Sequence, residues 1–324
     1  MFIKNIKLKY NNNLIQNYLK TSDYNEIKKI FENTFLEDKN ISSQLLKANL
    51  FKALEDEKST TLFPENLIWI KSYFLEDTKI LNQFFNFYFN ELNFSFTGPR
   101  KYSEVMMNLF DHLEIKENIT FEEIKNFSYV YQYMLSQLNK DKYVLINSDS
   151  VFFESQIHRY FTHYYISKCC FYVIKNPLLV FSDFKENNPD FDSQIALNYL
   201  LNRDGENTIV YNDQKTRFFE NNKQGLDTNI NSWTNANVVS TFRGIVFKYE
   251  DLVKYPKEVF TDAIGHLIQH GVKIKLSYDI IDKFLELNPE IFQVNTEPPS
   301  FSNKDIKLLK RDLGQLSKSL KYQI

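Results

Sequence analysis

The spacing of apolar residues changes along the chain, and this change predicts two regions. Up to about residue 92, apolar residues recur three and four positions apart, as they do on one face of an α-helix. The ranges with this spacing are 14–19, 24–35, 41–54 and 77–92. From residue 93 onward, short apolar runs alternate with further helical segments. The runs predicted to be strands are 93–97, 143–146, 169–174 and 244–248.

Strands that are separated by helical segments predict a parallel sheet, because parallel neighbours need long crossover connections. We therefore expect an α/β fold in which the four predicted strands form one parallel sheet with helices on both faces. The predicted helices include 121–138, 151–165, 305–320 and several between 178 and 239.

A polar break at residues 55–60 has turn character and predicts a domain boundary. We expect residues 1–60 to form a helical N-terminal region, either a cap or an interaction surface for a protein partner. Residues 61–324 are then expected to form the α/β domain. The aromatic run within 77–92 is expected to pack on the sheet rather than to line an acceptor pocket.

Composition excludes several classes of protein. The formal charge of −2 gives no reason to expect a general nucleic-acid binder. No apolar run has the uncharged length of a membrane span, and the first ten residues lack the apolar block of a signal peptide. Cys169 and Cys170 are adjacent in a predicted strand, so they point to opposite faces and cannot form a disulfide framework. We expect a cytoplasmic protein.

The richest candidate for anion binding follows the predicted strand 93–97. This segment consists of Gly98, Pro99, Arg100, Lys101, Tyr102, Ser103 and Glu104. Gly98 and Pro99 are predicted to end the strand, and helical spacing begins at Ser103. The first N–H groups of a helix lack partners inside it, and Arg100 and Lys101 add two charges at the same place. A loop that holds a phosphate or a sulfate is predicted here; its spacing is not that of a Walker loop.

The anion loop resembles the 5'-phosphosulfate loop of the sulfotransferase family. Gly98, Pro99 and Arg100 are similar to the family's Gly-x-Pro-Arg pattern, and Ser103 stands where the family has threonine. The resemblance covers about residues 93–322.

Three later segments extend the resemblance in the same order as in the family. Lys175-Asn176-Pro177 resembles the strand-Arg-Asn/Asp-Pro segment whose arginine holds the 3'-phosphate of the sulfate donor. Tyr249-Glu250-Asp251-Leu252, with Pro256 beyond it, resembles the family's Arg-Tyr-Glu-Asp-Leu-x-x-x-Pro segment. Leu320-Lys321-Tyr322 is similar to the Leu-Gly-Tyr ending of many members.

The resemblance implies a P-loop-like fold and transfer of a sulfuryl group. The donor would be 3'-phosphoadenosine 5'-phosphosulfate (PAPS), and the acceptor a hydroxyl or amine of a small molecule or glycan. Arg100 and Lys101 would neutralise the leaving phosphate, with either of the two at the leaving oxygen. Amides near Ser103 would hold the 5'-phosphosulfate, and Lys175 and Ser182 would hold the 3'-phosphate.

Departures from the family pattern keep a second function open. Lys175 replaces the arginine that grips phosphate with two hydrogen bonds. The family serine lies eight residues after that arginine, where this chain has Asp183, with Ser182 one residue early. Tyr102 replaces a glycine and Glu104 adds an anion. The alternative is therefore a degenerate member that binds a nucleotide or a partner without turnover.

The family's general base is missing from its usual place, so it must come from elsewhere. His158 is the candidate catalytic base on the predicted helix 151–165, with His163 and Glu154 as other candidates. His266 and His270 have the spacing of a metal-binding pair, but no third ligand is evident, and we expect no metal site.

A glycosyltransferase is the weakest alternative. Asp190 and Asp192 resemble the Asp-x-Asp motif of metal-dependent glycosyltransferases. They precede a predicted helix, so helix capping explains them better. Trp233 is expected to pack in the core.

Overall fold

The computed structural model describes residues 65–101, 141–149, 167–203, 224–235 and 242–323. It also describes 153–154, 159–160 and the single residues 132, 136, 139 and 239. The predicted N-terminal helical region and the predicted helix after Ser103 lie outside the described residues. So do four predicted site residues: Tyr102, Ser103, Glu104 and His158.

Within the described ranges, five strands form one parallel sheet in the order β2-β3-β1-β6-β7. A separate two-stranded antiparallel ribbon is formed by β4 and β5. The strands are β1 Leu67–Ser72, β2 Phe96–Lys101, β3 Tyr143–Ser148, β4 Phe153–Glu154, β5 Arg159–Tyr160, β6 Ser167–Ile174 and β7 Gly244–Lys248. The predicted α/β fold is confirmed, and all four predicted strands belong to the one parallel sheet.

The central strand of the sheet, β1, falls in the region that the sequence pattern assigned to helices. Leu67, Ile68, Trp69 and Ile70 are completely buried, and β1 pairs in parallel with β3 on one side and β6 on the other. The first 92 residues were predicted to be mainly helical, and this strand was not among the predicted strands. A strand that is covered on both faces reads as a continuous apolar run, which periodicity alone does not distinguish from a buried helix.

The prediction that Gly98 and Pro99 end a strand was also wrong, because β2 continues through them to Lys101. They form a bulge opposite Leu145: the pairing runs from Thr97 with Val144 directly to Arg100 with Ile146. Gly98 has φ +102°, and a Cβ there would lie 2.4 Å from the Leu145 carbonyl oxygen. The proline is tolerated because β2 is an edge strand.

The helix predicted at 151–165 is contradicted by the antiparallel ribbon. Residues 153–154 and 159–160 pair with each other as β4 and β5. Apolar residues of this short segment match helical spacing, but strand pairing within the segment prevails.

Helices cover both faces of the sheet. They are α1 Lys79–Glu91, α2 Pro177–Asn187, α3 Ser193–Leu200, α4 Leu226–Thr234, α5 Tyr249–Lys254, α6 Pro256–Gln269, α7 Tyr278–Leu287 and α8 Asn303–Ser319. The 3-10 turns are Leu75–Thr78 and Pro289–Phe292. The predicted helices at 77–92 and 305–320 are confirmed as α1 and α8. None of the described helices is long and apolar enough to cross a membrane.

Side chains point alternately to the two faces of the sheet, and each face packs in a separate core. On one face, Ile68 and Ile70 of β1 belong to a cluster with α1 and α6, in which the rings of Phe84 and Phe260 stack at 3.9 Å. The aromatic residues of α1 therefore pack in the core, as expected. On the other face, Trp233 of α4 is buried and stacks on Tyr172.

Candidate functional site

The sheet topology locates a crevice at the carboxyl ends of β1 and β6. The chain leaves β1 towards β2 on one side of the sheet, and it leaves β6 towards β7 on the other side. In open parallel sheets, ligands bind where the connections of adjacent strands diverge in this way. The segments at this point are the turn Leu75–Thr78, which follows β1, and Lys175 with Asn176, which follow β6.

An ion cluster of Lys175, Asp77 and Asp183 occupies this crevice. The Lys175 Nζ lies 3.1 Å from the Asp77 Oδ1 and also contacts the Asp183 Oδ2. The same ammonium lies 4.7 Å from the centre of the Tyr249 ring. Only 5% of the Asp77 side chain is exposed, against 41% for Asp183. The predicted 3'-phosphate cation is thus already surrounded by two carboxylates and one aromatic ring.

Two carboxylates share one ammonium in this cluster, and the pKa values follow from that. The pKa of the Asp77 carboxyl is raised to about 6, mainly by burial. The charge of Lys175 lowers this pKa, and the charge of Asp183 raises it. Burial alone would lower the pKa of Lys175, but its two carboxylate partners outweigh burial and raise it above the ordinary value. With both carboxylates ionised, the cluster carries a net charge of −1.

Asp183, and not Ser182, is the residue of α2 that contacts Lys175. One residue along a helix turns the side chain by about 100°. Ser182 is buried on the same helix, one position before Asp183. The eight-residue spacing from Lys175 therefore brings the Asp183 carboxylate, and not the Ser182 hydroxyl, to the lysine.

Glu250, at the start of α5, joins the segments that carry the family resemblance. Its Oε1 accepts a hydrogen bond from the Asn176 N–H at 2.8 Å, and its Oε2 accepts one from the Tyr322 hydroxyl at 2.7 Å. Burial, together with the neighbouring Glu250 carboxylate, raises the pKa of Tyr322. The Asn176 side chain caps α2 by accepting from the Leu178 N–H. The Tyr-Glu-Asp-Leu segment thus holds the chain after β6 in position.

We expect Glu250→Ala to lower the free energy of unfolding by about 3 kcal/mol, because the buried Asn176 N–H and the half-buried Tyr322 hydroxyl lose a charged acceptor. Chemical denaturation measures this loss. Tyr322→Phe removes only one of the two hydrogen bonds and should cost about 1 kcal/mol. A cost below that of Tyr322→Phe for the alanine variant would contradict this role of Glu250.

A cleft lies beside the ion cluster, between α1 and the carboxyl ends of β2 and β3. Its volume is about 380 Å³. The lining residues are Leu75, Glu76, Lys79, Asn82, Gln83, Asn86, Pro99, Lys101 and Asn147. Lys101 pairs with Asn147 of β3 in the sheet register, and both line the cleft.

Lys101 and Arg100 are neighbours in a strand, so their side chains leave on opposite faces of the sheet. Lys101 lines the cleft, whereas Arg100 is an exposed residue of the same edge strand. Of the two predicted cations, Lys101 is the one placed on the α1 side, next to the turn that follows β1.

Sequence reasoning missed the polar residues at the end of the central strand and just after it. Lys71 is fully buried at the end of β1, with its Nζ 4.6 Å from the Trp69 ring centre and 4.5 Å from that of Trp233. Burial lowers the pKa of Lys71 to about 7. Asp77 and Lys79 come from the turn and helix that follow. The run of four apolar residues 67–70 was the signal for this strand.

The other candidate groups have structural roles. His266 is buried, and its Nε2 lies 2.7 Å from the Arg243 carbonyl oxygen; burial lowers its pKa to about 4. Its ring lies 4.5 Å from that of His270. No group of three metal-binding side chains occurs among the described residues. Asp192 caps α3 by accepting from the Ile195 N–H, as expected. Cys169 and Cys170 are free thiols.

Comparison with solved structures finds proteins of similar fold, one of which is a sulfotransferase domain. The solved sulfotransferase domain of the Synechococcus PCC 7002 olefin synthase resembles this chain with a TM-score of 0.42 and 16% identity. The match covers 81% of this chain and 96% of that domain. No family model and no curated protein matches the sequence.

Proposed function

We propose that this protein is sulfotransferase-like: it binds PAPS at the carboxyl edge of its sheet and transfers the sulfuryl group to an acceptor hydroxyl or amine. The observation that carries the proposal is the arrangement of Lys101 and Lys175. These cations lie on either side of the turn Leu75–Thr78, at the point where the connections of β1 and β6 diverge.

The distance between the two cations suits a ligand with two separated phosphates. Three strand spacings separate β2 from β6, which amounts to about 14 Å. Both side chains point into this gap, because Lys101 lines the cleft with Leu75 and Lys175 contacts Asp77. Lys175 would hold the 3'-phosphate, and Lys101 would stabilise the charge that develops on the leaving phosphate.

A second candidate function is binding of a nucleotide or partner without transfer. The ion cluster favours it, because Asp77 and Asp183 already neutralise Lys175 and leave the cluster with a net negative charge. A phosphate must displace at least one of these carboxylates before it can contact the ammonium. Binding and transfer therefore need separate measurements.

The test uses adenosine 3',5'-bisphosphate, the product that remains after transfer. At a hundredfold excess over the dissociation constant, mass action stabilises the folded protein by about 2.7 kcal/mol, which thermal unfolding detects. We expect Lys101→Ala and Lys175→Ala each to reduce the shift. Lys310→Ala, on the exposed side of α8, is the matched control and should leave it unchanged.

An unmoved melting temperature at saturating bisphosphate would refute donor binding at this edge. Where the bisphosphate binds, incubation with labelled PAPS and a panel of hydroxyl and amine acceptors distinguishes the two functions. Label transfer to an acceptor supports the enzyme, and binding without transfer supports the degenerate member.

A further inference from the structure

Two residues that line the cleft have buried amide oxygens that find no hydrogen-bond partner among the described residues. They are the Oδ1 atoms of Asn82 on α1 and Asn147 on β3. The two residues are only 8% and 7% exposed. A buried acceptor without a donor costs about 1–3 kcal/mol, so two of them in one cleft call for an explanation.

The hydrogen-bond network shows which atom of the Asn82 amide lacks a hydrogen-bond partner. Thr78 donates its hydroxyl hydrogen to the Leu75 carbonyl at 2.6 Å. The Thr78 oxygen can therefore only accept from Asn82, whose Nδ2 donates to it at 2.9 Å. This contact orients the amide, and the carbonyl end is the one without a donor. A ligand that satisfies it must offer a hydroxyl or amine hydrogen.

The rim of the cleft adds positive charge. Lys79 and Lys101 are both exposed, and neither forms an ion pair with a carboxylate in the described ranges. Glu76 supplies the only acidic side chain among the lining residues, so these charged groups sum to +1. Gln83 and Asn86 contribute further polar groups at the exposed rim.

The geometry points to a binding site for a small polyhydroxylated anion, of the size and kind of an acidic monosaccharide or sugar phosphate. We propose that its hydroxyl groups donate to Asn82 and Asn147 and that its anionic group lies between Lys79 and Lys101. A volume of about 380 Å³ is at the lower end of the range for small-molecule sites. This inference goes beyond the proposed function, since the ligand need be neither a nucleotide nor a sulfate donor.

The full chain is titrated by calorimetry with three probes: glucose 6-phosphate, glucose and inorganic sulfate. Glucose offers the hydroxyl groups without the charge, and sulfate offers the charge without hydroxyl hydrogens. We expect glucose 6-phosphate to bind at least about tenfold more tightly than either. Equal affinity for sulfate would overturn the proposal, as would no heat with millimolar glucose 6-phosphate.

Variants separate a binding role from a structural one. Asn147→Leu removes an unsatisfied acceptor, so we expect it to raise the melting temperature of the free protein. The same variant should weaken the binding of glucose 6-phosphate at least tenfold. Lys101→Gln should weaken it similarly, and Lys310→Gln is the charge control. Unchanged affinity in both cleft variants would refute the site.

Lys101 belongs to both the cleft and the proposed donor site, whereas Lys175 belongs to the donor site alone, so Lys175→Ala distinguishes the two. We expect this variant to leave glucose 6-phosphate binding intact while it weakens adenosine 3',5'-bisphosphate. If Lys175→Ala weakened both ligands equally, glucose 6-phosphate would be occupying the donor site and the separate cleft site would be wrong. If the bisphosphate fails to bind while glucose 6-phosphate binds normally, the proposed function falls and this inference stands.

Discussion

Replacing Lys71 by methionine is expected to raise the melting temperature by about 5 °C at pH 7. Methionine fills a similar volume without an ammonium group, and Lys71 is completely buried. Lowering its pKa from 10.5 to about 7 corresponds to a penalty on the order of 4 kcal/mol at neutral pH. Attraction to the Trp69 and Trp233 rings offsets about 2 kcal/mol of this penalty. The remaining 2 kcal/mol or so gives the expected shift.

The pH dependence of this effect has a defined sign. Between pH 7 and 10.5 the unfolded chain keeps the Lys71 proton and the folded chain releases it, so the stability of the wild type rises with pH in that window. The methionine variant lacks this rise, so its advantage over the wild type should shrink as the pH rises from 7 towards 10.5. Thermal unfolding at several pH values measures both effects. A variant less stable than the wild type at pH 7 would contradict the burial penalty.

Replacing Asp183 by serine is expected to strengthen adenosine 3',5'-bisphosphate binding about tenfold at pH 7.5. The substitution removes one of the two carboxylates on Lys175 and places a hydroxyl eight residues after it. The ion cluster then changes from a net charge of −1 to neutral, and the ammonium becomes available to a phosphate. Calorimetric titration measures the gain. Unchanged affinity would show that Lys175 does not contact the ligand.

The affinity for adenosine 3',5'-bisphosphate is also expected to depend on pH, through Asp77. Because its pKa is about 6, lowering the pH from 7.5 to 5.5 protonates it and removes one negative charge from the cluster. Affinity for the bisphosphate should therefore rise as the pH falls through 6. Asp77→Asn should bind more tightly at pH 7.5 and lose this part of the pH dependence. The asparagine variant also serves as the control for titration of the ligand's own phosphates, whose second pKa is near 6.

Local periodicity was sufficient for most of the sheet. The strands at 143, 169 and 244 and the helices at 77 and 305 were predictable because each side-chain pattern reflects one exposed or buried face of its own element. The helix cap at Asp192 and the buried Trp233 were predictable for the same reason, since their roles depend on chemistry within a few residues. The parallel arrangement followed from the helical segments between the strands.

Only the tertiary structure decided which strand is central and which polar groups share a site. A continuous apolar run such as 67–70 fits a buried strand and a buried helix equally well, so the position of β1 depended on its two neighbours. The bulge at Gly98 required the Leu145 carbonyl across the sheet. Lys175 and Asp77 are 98 residues apart in the chain, yet they form one ion pair.

The sequence by itself determined four of the five strands of the sheet, several helices and the cations available for anion binding. The tertiary structure decided which carboxylates neutralise Lys175 and which face of β2 carries Lys101. It also decided that the two unsatisfied amides lie in one cleft. The reason is physical: an element forms through contacts between near neighbours in sequence, whereas burial, pKa values and the partners of a buried polar group are set by side chains from distant segments.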